Sequence, residues 1–168
     1  MLLALTGTPG TGKSTVARIL RKKGYRVIAL NRVIRRRKLV SGFDRKRKSW
    51  IVDLKKVERY LRNFENKKKS EIVILDSHIS HLLSVDFAIV LRCSPAELEK
   101  RLKAKRWAKE KIRENVEAEM IDLIAAEAEE KLGKKRVVEI NTTGKPPEKI
   151  AEEVEKLVKK WREKFERA

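Results

Sequence analysis

The run Gly7-Thr8-Pro9-Gly10-Thr11-Gly12-Lys13-Ser14 constrains this chain more than any other feature. It fits G-x-x-x-x-G-K-[ST], the phosphate-binding P-loop. An apolar run, Leu2–Leu5, precedes it, and the helically spaced Val16, Ala17, Ile19 and Leu20 follow. Strand, glycine loop and helix are the context in which the motif acts. Each residue type has a chemical reason. Glycines let backbone N–H groups converge on phosphate oxygens with no Cβ in the way. The helix N-terminus adds its dipole. Lys13 reaches the β- and γ-phosphates, and the Ser14 hydroxyl ligates Mg²⁺. The pattern predicts a nucleoside triphosphate held by Gly10, Thr11, Gly12, Lys13, Ser14 and Thr15.

The rest of the chain alternates strands and helices. Apolar runs at Tyr25–Leu30, Ile72–Leu75, Phe87–Leu91 and Arg136–Ile140 read as strands. A short continuous apolar run marks a strand buried on both faces. Helices are expected over Asn31–Leu39, Leu54–Phe64, Pro95–Lys103 and Ile112–Leu132, the last as one long helix ended by Gly133. Pro146 and Pro147 open an amphipathic terminal helix bearing Ile150, Val154, Leu157, Val158, Trp161 and Phe165. Ser41–Asp44 reads as a turn. The expected architecture is a three-layer α/β domain: about five parallel strands, right-handed crossovers and helices on both faces. The 168 residues are read as one domain. Cys93 stands alone, so no internal disulfide is available. No stretch has the apolar length of a membrane span. Met1 leads straight into the first strand, which predicts no signal peptide and a cytoplasmic location.

Charge is the second informative feature. The chain carries a net +19. Between Ala17 and Ser70 there are 21 cations and 4 anions, so this third alone holds +17. A field that lopsided attracts polyanions. A solvated surface with a few phosphate-binding arginines is the plainer alternative. Arg45–Lys48 is a basic run in an expected loop. Trp50 beside it is either a stacking platform for an unpaired base or a core residue.

Asp76 ends the buried run Ile72–Leu75, and His78 lies two residues on. In a P-loop protein, an acid at the end of a neighbouring strand falls beside the Mg²⁺ and can hold a water bound to it. A helix N-cap is the other role for such an Asp. His78 could polarise a water or hydroxyl near the γ-phosphate, or be an ordinary first-turn histidine. His81, three residues later, reads as structural or surface. The guanine-reading N-K-x-D motif is absent. Asn141–Lys145 follows the last strand, where backbone groups could read adenine.

Taken together, Gly7–Thr15, Leu39–Asp53, Asp76-x-His78, Val90-Leu91-Arg92 and a short basic segment after Leu102 resemble one group. It is the adenylate kinase family of the nuclear isoenzyme-six type, whose human member is also a small-ribosomal-subunit assembly factor. The resemblance implies a P-loop kinase fold with a nucleoside-monophosphate insertion at about residues 31–54 and a lid at about residues 103–112. It implies that Arg35 binds the AMP phosphate and that Lys145 lies on the ATP side. The family has Arg-Gly-Tyr in the lid where this chain has Lys105-Arg106-Trp107. Either Lys105 or Arg106 would supply the cation on the transferring phosphoryl group. An Asp of the family stands where this chain has Arg32, and Arg36-Arg37-Lys38 follow it. The implied activity is Mg²⁺-dependent phosphoryl transfer from ATP to AMP. Lys13, Asp76 and His78 are the catalytic candidates; Ser14, and Asp76 through water, are the metal candidates. ATP hydrolysis and an RNA or small-subunit ribosomal protein partner are also implied. The competing readings are an ATP-hydrolysing assembly factor with little kinase activity, and another small-molecule kinase of this fold.

Overall fold

The computed structural model describes residues 1–47, 49–65 and 72–166, with the side chains of residues 63–65 and 164–166 excepted. Lys48, Lys67, Lys68 and Lys69 of the basic segment, and the side chains of Phe64 and Phe165, therefore lie outside the described residues. In chain order the elements are β1 (Leu2–Thr6), α1 (Lys13–Lys22), β2 (Arg26–Ala29), α2 (Leu30–Arg37), β3 (Val40–Asp44), β4 (Ser49–Val52) and α3 (Leu54–Glu65). There follow β5 (Val73–Asp76), β6 (Phe87–Arg92), α4 (Pro95–Ala104), α5 (Lys109–Met120), α6 (Leu123–Leu132), β7 (Val137–Asn141) and α7 (Pro147–Glu166).

Five strands form one parallel sheet in the order β2-β5-β1-β6-β7. Period-2 alternation sorts each apolar run onto two faces. Leu3 and Leu5 of β1 pack with α1 and α7; Leu2 and Ala4 pack with α2, α3 and α6. That is why the central strands read as unbroken apolar runs. Phe87 stacks on Trp161 of α7 with ring centroids 4.4 Å apart, pinning the terminal helix to the sheet. A third cluster, Cys93, Leu98, Leu102 and Ile112 with Trp107 and Val116 against it, joins α4 to α5. The connection leaving β1 runs outward to β2 and the one leaving its neighbour β6 runs the opposite way to β7, so the loops after these two adjacent strands part and leave a crevice between them. Ligands of open α/β sheets bind at that switch point, beyond the carboxyl ends of the strands.

Two expectations fail. Ser41–Asp44 is a strand, not a turn: β3 pairs antiparallel with β4, and the turn lies at Arg45–Arg47. Asp44 is what starts it, its carboxylate accepting from the N–H groups of Lys46 at 2.9 Å and Arg47 at 3.0 Å. The long helix expected over Ile112–Leu132 is two helices. It breaks at Asp122, whose backbone is left-handed with φ 54 and whose carboxylate is taken by Arg92. Asp tolerates that conformation better than most residues.

Candidate active site

The P-loop turns from the end of β1 into α1 at the switch point. Gly7 has φ 135, and a Cβ there would lie 2.3 Å from the Leu91 carbonyl oxygen. Gly10 has φ 101, and its Cβ would press on Leu98 and Leu102 of α4 at 2.7 and 2.9 Å. Both positions require glycine on two counts, backbone sign and space.

Lys13 is 8% exposed. Its ammonium donates to the carbonyls of Gly7 at 2.6 Å and Thr8 at 2.9 Å. Burial lowers its pKa to about 8; Lys105 pushes the same way, and Asp76 and Glu119 oppose it. Asp76 ends β5 in register with Leu5 and Ala29, so it stands directly beside the P-loop strand. Burial raises its carboxyl above the usual value, while Lys13 and a hydrogen bond from Ser14 hold it down. No α-helix follows Asp76, so it is not a helix N-cap. Ser14 itself is exposed to the site.

His78 lies just beyond, at the surface. Its crowded surroundings first, then the charges of Lys13, His81 and Lys111, lower its imidazole to about 4. The ring is therefore neutral at pH 7. His81 is structural, as one of its two readings has it. It is 1% exposed, with Nδ1 against the Thr6 hydroxyl at 2.9 Å and Nε2 against Glu127 at 3.1 Å.

Arg35 lies on the exposed face of α2, its Nε donating to the Asn31 carbonyl at 3.4 Å. The Asn31 side chain accepts from the Ser77 hydroxyl at 2.9 Å. The helix bearing Arg35 is thereby docked one residue from Asp76. Lys105 and Arg106 sit between α4 and α5. Arg106 is left-handed with φ 57. A non-glycine residue in that region is strained, and this is the position where the resembling family has glycine. Lys145 is exposed and paired with Glu153 of α7 at 2.9 Å. Its loop is fixed by Thr142, which bonds the Arg92 carbonyl at 2.8 Å, and by Thr143, which accepts from Ser94 N at 2.8 Å. Thr11 turns inward, its hydroxyl donating to the Thr8 carbonyl at 2.8 Å. Thr15 lies in the first turn of α1, its N–H on the Gly12 carbonyl.

Sequence reasoning missed one buried group altogether. Glu119 is 4% exposed and accepts from Thr8 Oγ1 at 2.5 Å, Arg92 Nε at 2.7 Å and Cys93 N at 3.0 Å. In the sequence it is one of several glutamates in a Lys/Glu-rich helix, and nothing local singles it out.

Among the described residues no three His, Cys, Asp or Glu side chains converge as a metal cluster. The oxygen pair of Ser14 and Asp76 nevertheless suits Mg²⁺, which keeps most of its waters and takes few protein ligands. No helix of the described residues is long and apolar enough to cross a membrane.

Comparison with known proteins gives the chain a family and a fold likeness. The family described as AAA domain matches residues 3–122. A Methanosarcina barkeri protein is 45% identical over 159 residues, covering 94% of this chain and 86% of that relative. An Archaeoglobus fulgidus protein is 42% identical over 97% of this chain and 85% of its own. One from Methanocaldococcus jannaschii is 36% identical over 98% and 89%. All three carry the name "Putative adenylate kinase". A solved Thermus thermophilus protein shares the fold, with TM-score 0.61 and 20% identity over 94% of this chain and 95% of that one.

Proposed function

The chain belongs to the archaeal family of these relatives, and from that premise we propose that it is a cytoplasmic, Mg²⁺-dependent nucleoside monophosphate kinase converting ATP and AMP into two ADP. The observation that carries the reading is the junction of two half-sites. Lys13, Ser14 and Asp76 form a phosphate and metal corner, and the Asn31–Ser77 bond docks the helix of Arg35 against it. A hydrolase needs only the first half.

In this reading residues 31–54 take the monophosphate, with Arg35 on its phosphate, and residues 103–112 close over the triphosphate. An AMP phosphate oxygen bonds the γ-phosphorus as the bond to the β,γ-bridging oxygen breaks, and ADP leaves. The protein supplies position and positive charge, since the transfer needs little covalent help. Lys13 moves from its backbone carbonyls to the β- and γ-phosphates. Ser14, and Asp76 by way of a water, would hold Mg²⁺, which would neutralise phosphate charge when bound. Lys105 is the lid cation. It is close enough to Lys13 to act on its titration, whereas Arg106 has the conformation of a hinge. Lys145 lies at the base-side loop of ATP. His78, neutral and solvent-facing, orients a water when no acceptor is bound; it is too weak a base to deprotonate one.

A second reading is carried by a separate observation: a role in small-ribosomal-subunit maturation through an RNA contact. Phe43 and Trp50 pack edge-on at 5.0 Å on the β3–β4 hairpin, 46% and 57% exposed. They adjoin the basic turn Arg45–Arg47. Exposed aromatic faces beside cations suit unpaired nucleotides.

The test is a panel of nucleoside monophosphates and other small acceptors with ATP and Mg²⁺, following ADP against an acceptor-free control. AMP is expected to give the fastest turnover, and Lys13→Ala to lower it by about 10²-fold or more. Preference for another acceptor, or turnover that ignores acceptors, overturns the kinase assignment.

A further inference from the structure

The lid segment Lys105–Ala108 is the tip of a helical hairpin, α4 and α5, with its own small core. The base of that hairpin is where α4 begins, at Cys93–Ser94, and where α5 ends, at Glu119. One carboxylate closes it. Glu119 Oε1 accepts from Cys93 N at 3.0 Å and Arg92 Nε at 2.7 Å. Its other oxygen accepts the Thr8 hydroxyl at 2.5 Å, across 111 residues of sequence. Thr8 in turn presents its carbonyl to Lys13 Nζ at 2.9 Å, Thr11 Oγ1 at 2.8 Å and Thr11 N at 3.2 Å. A single buried side chain thus touches the P-loop and both ends of the lid hairpin.

Such a group is costly unless it is fully used. A buried carboxylate must be compensated by donors and charge. Here two N–H donors and a hydroxyl satisfy it, and the guanidinium of Arg92 balances it. Arg92 is itself held by Glu119, Asp122 and Glu139. What the carboxylate adds is direction: it fixes the Thr8 rotamer and so the carbonyl on which Lys13 waits. It also ties the base of the hairpin, at Cys93 and Glu119, to the P-loop.

We infer that Glu119 is a positioning residue that couples lid closure to the P-loop, acting through the Thr8 hydroxyl. The inference rests on the kinase reading for its turnover assay, and on nucleotide binding alone for its second readout. A displacement of about 1 Å at reacting groups can cost 10²-fold in rate, so a loosened tether lowers kcat more than it raises the KM for ATP.

The experiment is a double-mutant cycle in kcat with Thr8→Val and Glu119→Ala, flanked by Thr8→Ser and Glu119→Gln. Valine removes the hydroxyl and preserves the shape. The Glu119→Gln variant keeps the bridge, because the Thr8 hydroxyl can turn and accept from the new amide. Expected are losses of about tenfold or more for Thr8→Val and Glu119→Ala, a double variant no worse than the worse single, and Ser and Gln variants within about threefold of wild type. The second readout is ¹⁹F resonance of protein labelled with 5-fluorotryptophan, the lid signal of Trp107 being assigned with Trp107→Phe. ATP with Mg²⁺ should shift that signal in the wild type, and shift it only partly at saturation in Thr8→Val. Additive losses in the cycle, or wild-type kcat per folded Thr8→Val molecule, overturn the inference and leave the kinase reading standing. If the wild type shows no ATP–AMP turnover, the kinase reading fails, and the Trp107 response still decides the coupling: equal shifts in wild type and Thr8→Val overturn it. Should Glu119→Ala fail to fold, Thr8→Val against Thr8→Ser carries both readouts.

Discussion

The ammonium of Lys13 lies 2.6 Å from the carbonyl oxygen of Gly7, held by the backbone of its own loop. Buried there, it loses protons far more readily than an exposed lysine, with a pKa of about 8 against the usual 10.5. Phosphates would restore a partner charge and push that value back up. ATP binding near pH 8 should therefore take up about half a proton at this residue. Calorimetry in buffers of different ionisation enthalpy reads the uptake, which Lys13→Met should abolish. The same linkage makes ATP affinity fall as pH rises above about 8. For folding the sign is opposite. The unfolded chain holds this proton up to 10.5 and the folded one only to about 8, so through that window the ligand-free protein gains stability with rising pH. Uptake that is equal in wild type and Lys13→Met would remove Lys13 from the phosphate site.

Asp76 and His78 should separate in role. Asp76→Ala is expected to depress ATP hydrolysis and AMP phosphorylation together, by about 10²-fold, because the phosphates and Mg²⁺ that it would help to hold are common to both reactions. His78→Ala should hurt acceptor-free hydrolysis by at least about tenfold and AMP phosphorylation far less, since AMP is positioned by its own contacts. The wild-type hydrolysis profile should show no histidine titration near 6.5, the ring being neutral well below that pH. Equal losses for His78→Ala in the two assays would sink the separation.

Lys105 and Arg106 should also part. Lys105→Ala is expected to lower kcat by about 10²-fold, the usual cost of removing one charge-stabilising donor. Arg106→Gly should relieve the left-handed strain, whose cost of about 1–2 kcal/mol exceeds the added freedom of glycine in the unfolded chain. A rise in Tm of about 2–4 °C is the expected result for a chain of this size. A fall in Tm would mean that the conformation at φ 57 is held by contacts of the Arg106 side chain.

The basic hairpin should bind single-stranded RNA independently of nucleotide turnover. Replacing Arg45–Lys48 by Ser or Gln is expected to weaken binding and to flatten its salt dependence, by about 0.7 in log–log slope for each phosphate no longer neutralised. Trp50→Ala should cost a further 1–3 kcal/mol, roughly the worth of one stacked base. AMP phosphorylation should stay within a few-fold, Arg35 being untouched. Salt-independent affinity, or none in the wild type, would return the charge to a solvated surface.

Much of this site is legible in the chain itself because its signals are local. The P-loop is eight consecutive residues whose types answer directly to phosphate chemistry. Asp76 is visible because a buried parallel strand reads as an apolar run, and the residue at its end is set by counting. The layers follow from period 2 in the strands and from the spacing of Ile150, Val154, Val158 and Trp161 in α7. The hairpin β3–β4 is hidden because Ser41 and Gly42 are turn formers, whereas Asp44 alone starts the turn. The break at Asp122 is hidden because its cause, Arg92, is 30 residues away.

By itself, then, the order of residues determined a triphosphate loop, the acid beside it and a parallel α/β sheet, each a matter of neighbours within a few positions. Only the tertiary structure decided which glutamate is buried under the loop, which residue of α2 meets the strand end, and which residue between α4 and α5 takes the left-handed turn. The physical reason is distance along the chain. Thr8 and Glu119 stand 111 residues apart, and Asn31 and Ser77 stand 46 apart. Sheet order brings each pair together, and no local pattern of charge or hydropathy encodes the meeting.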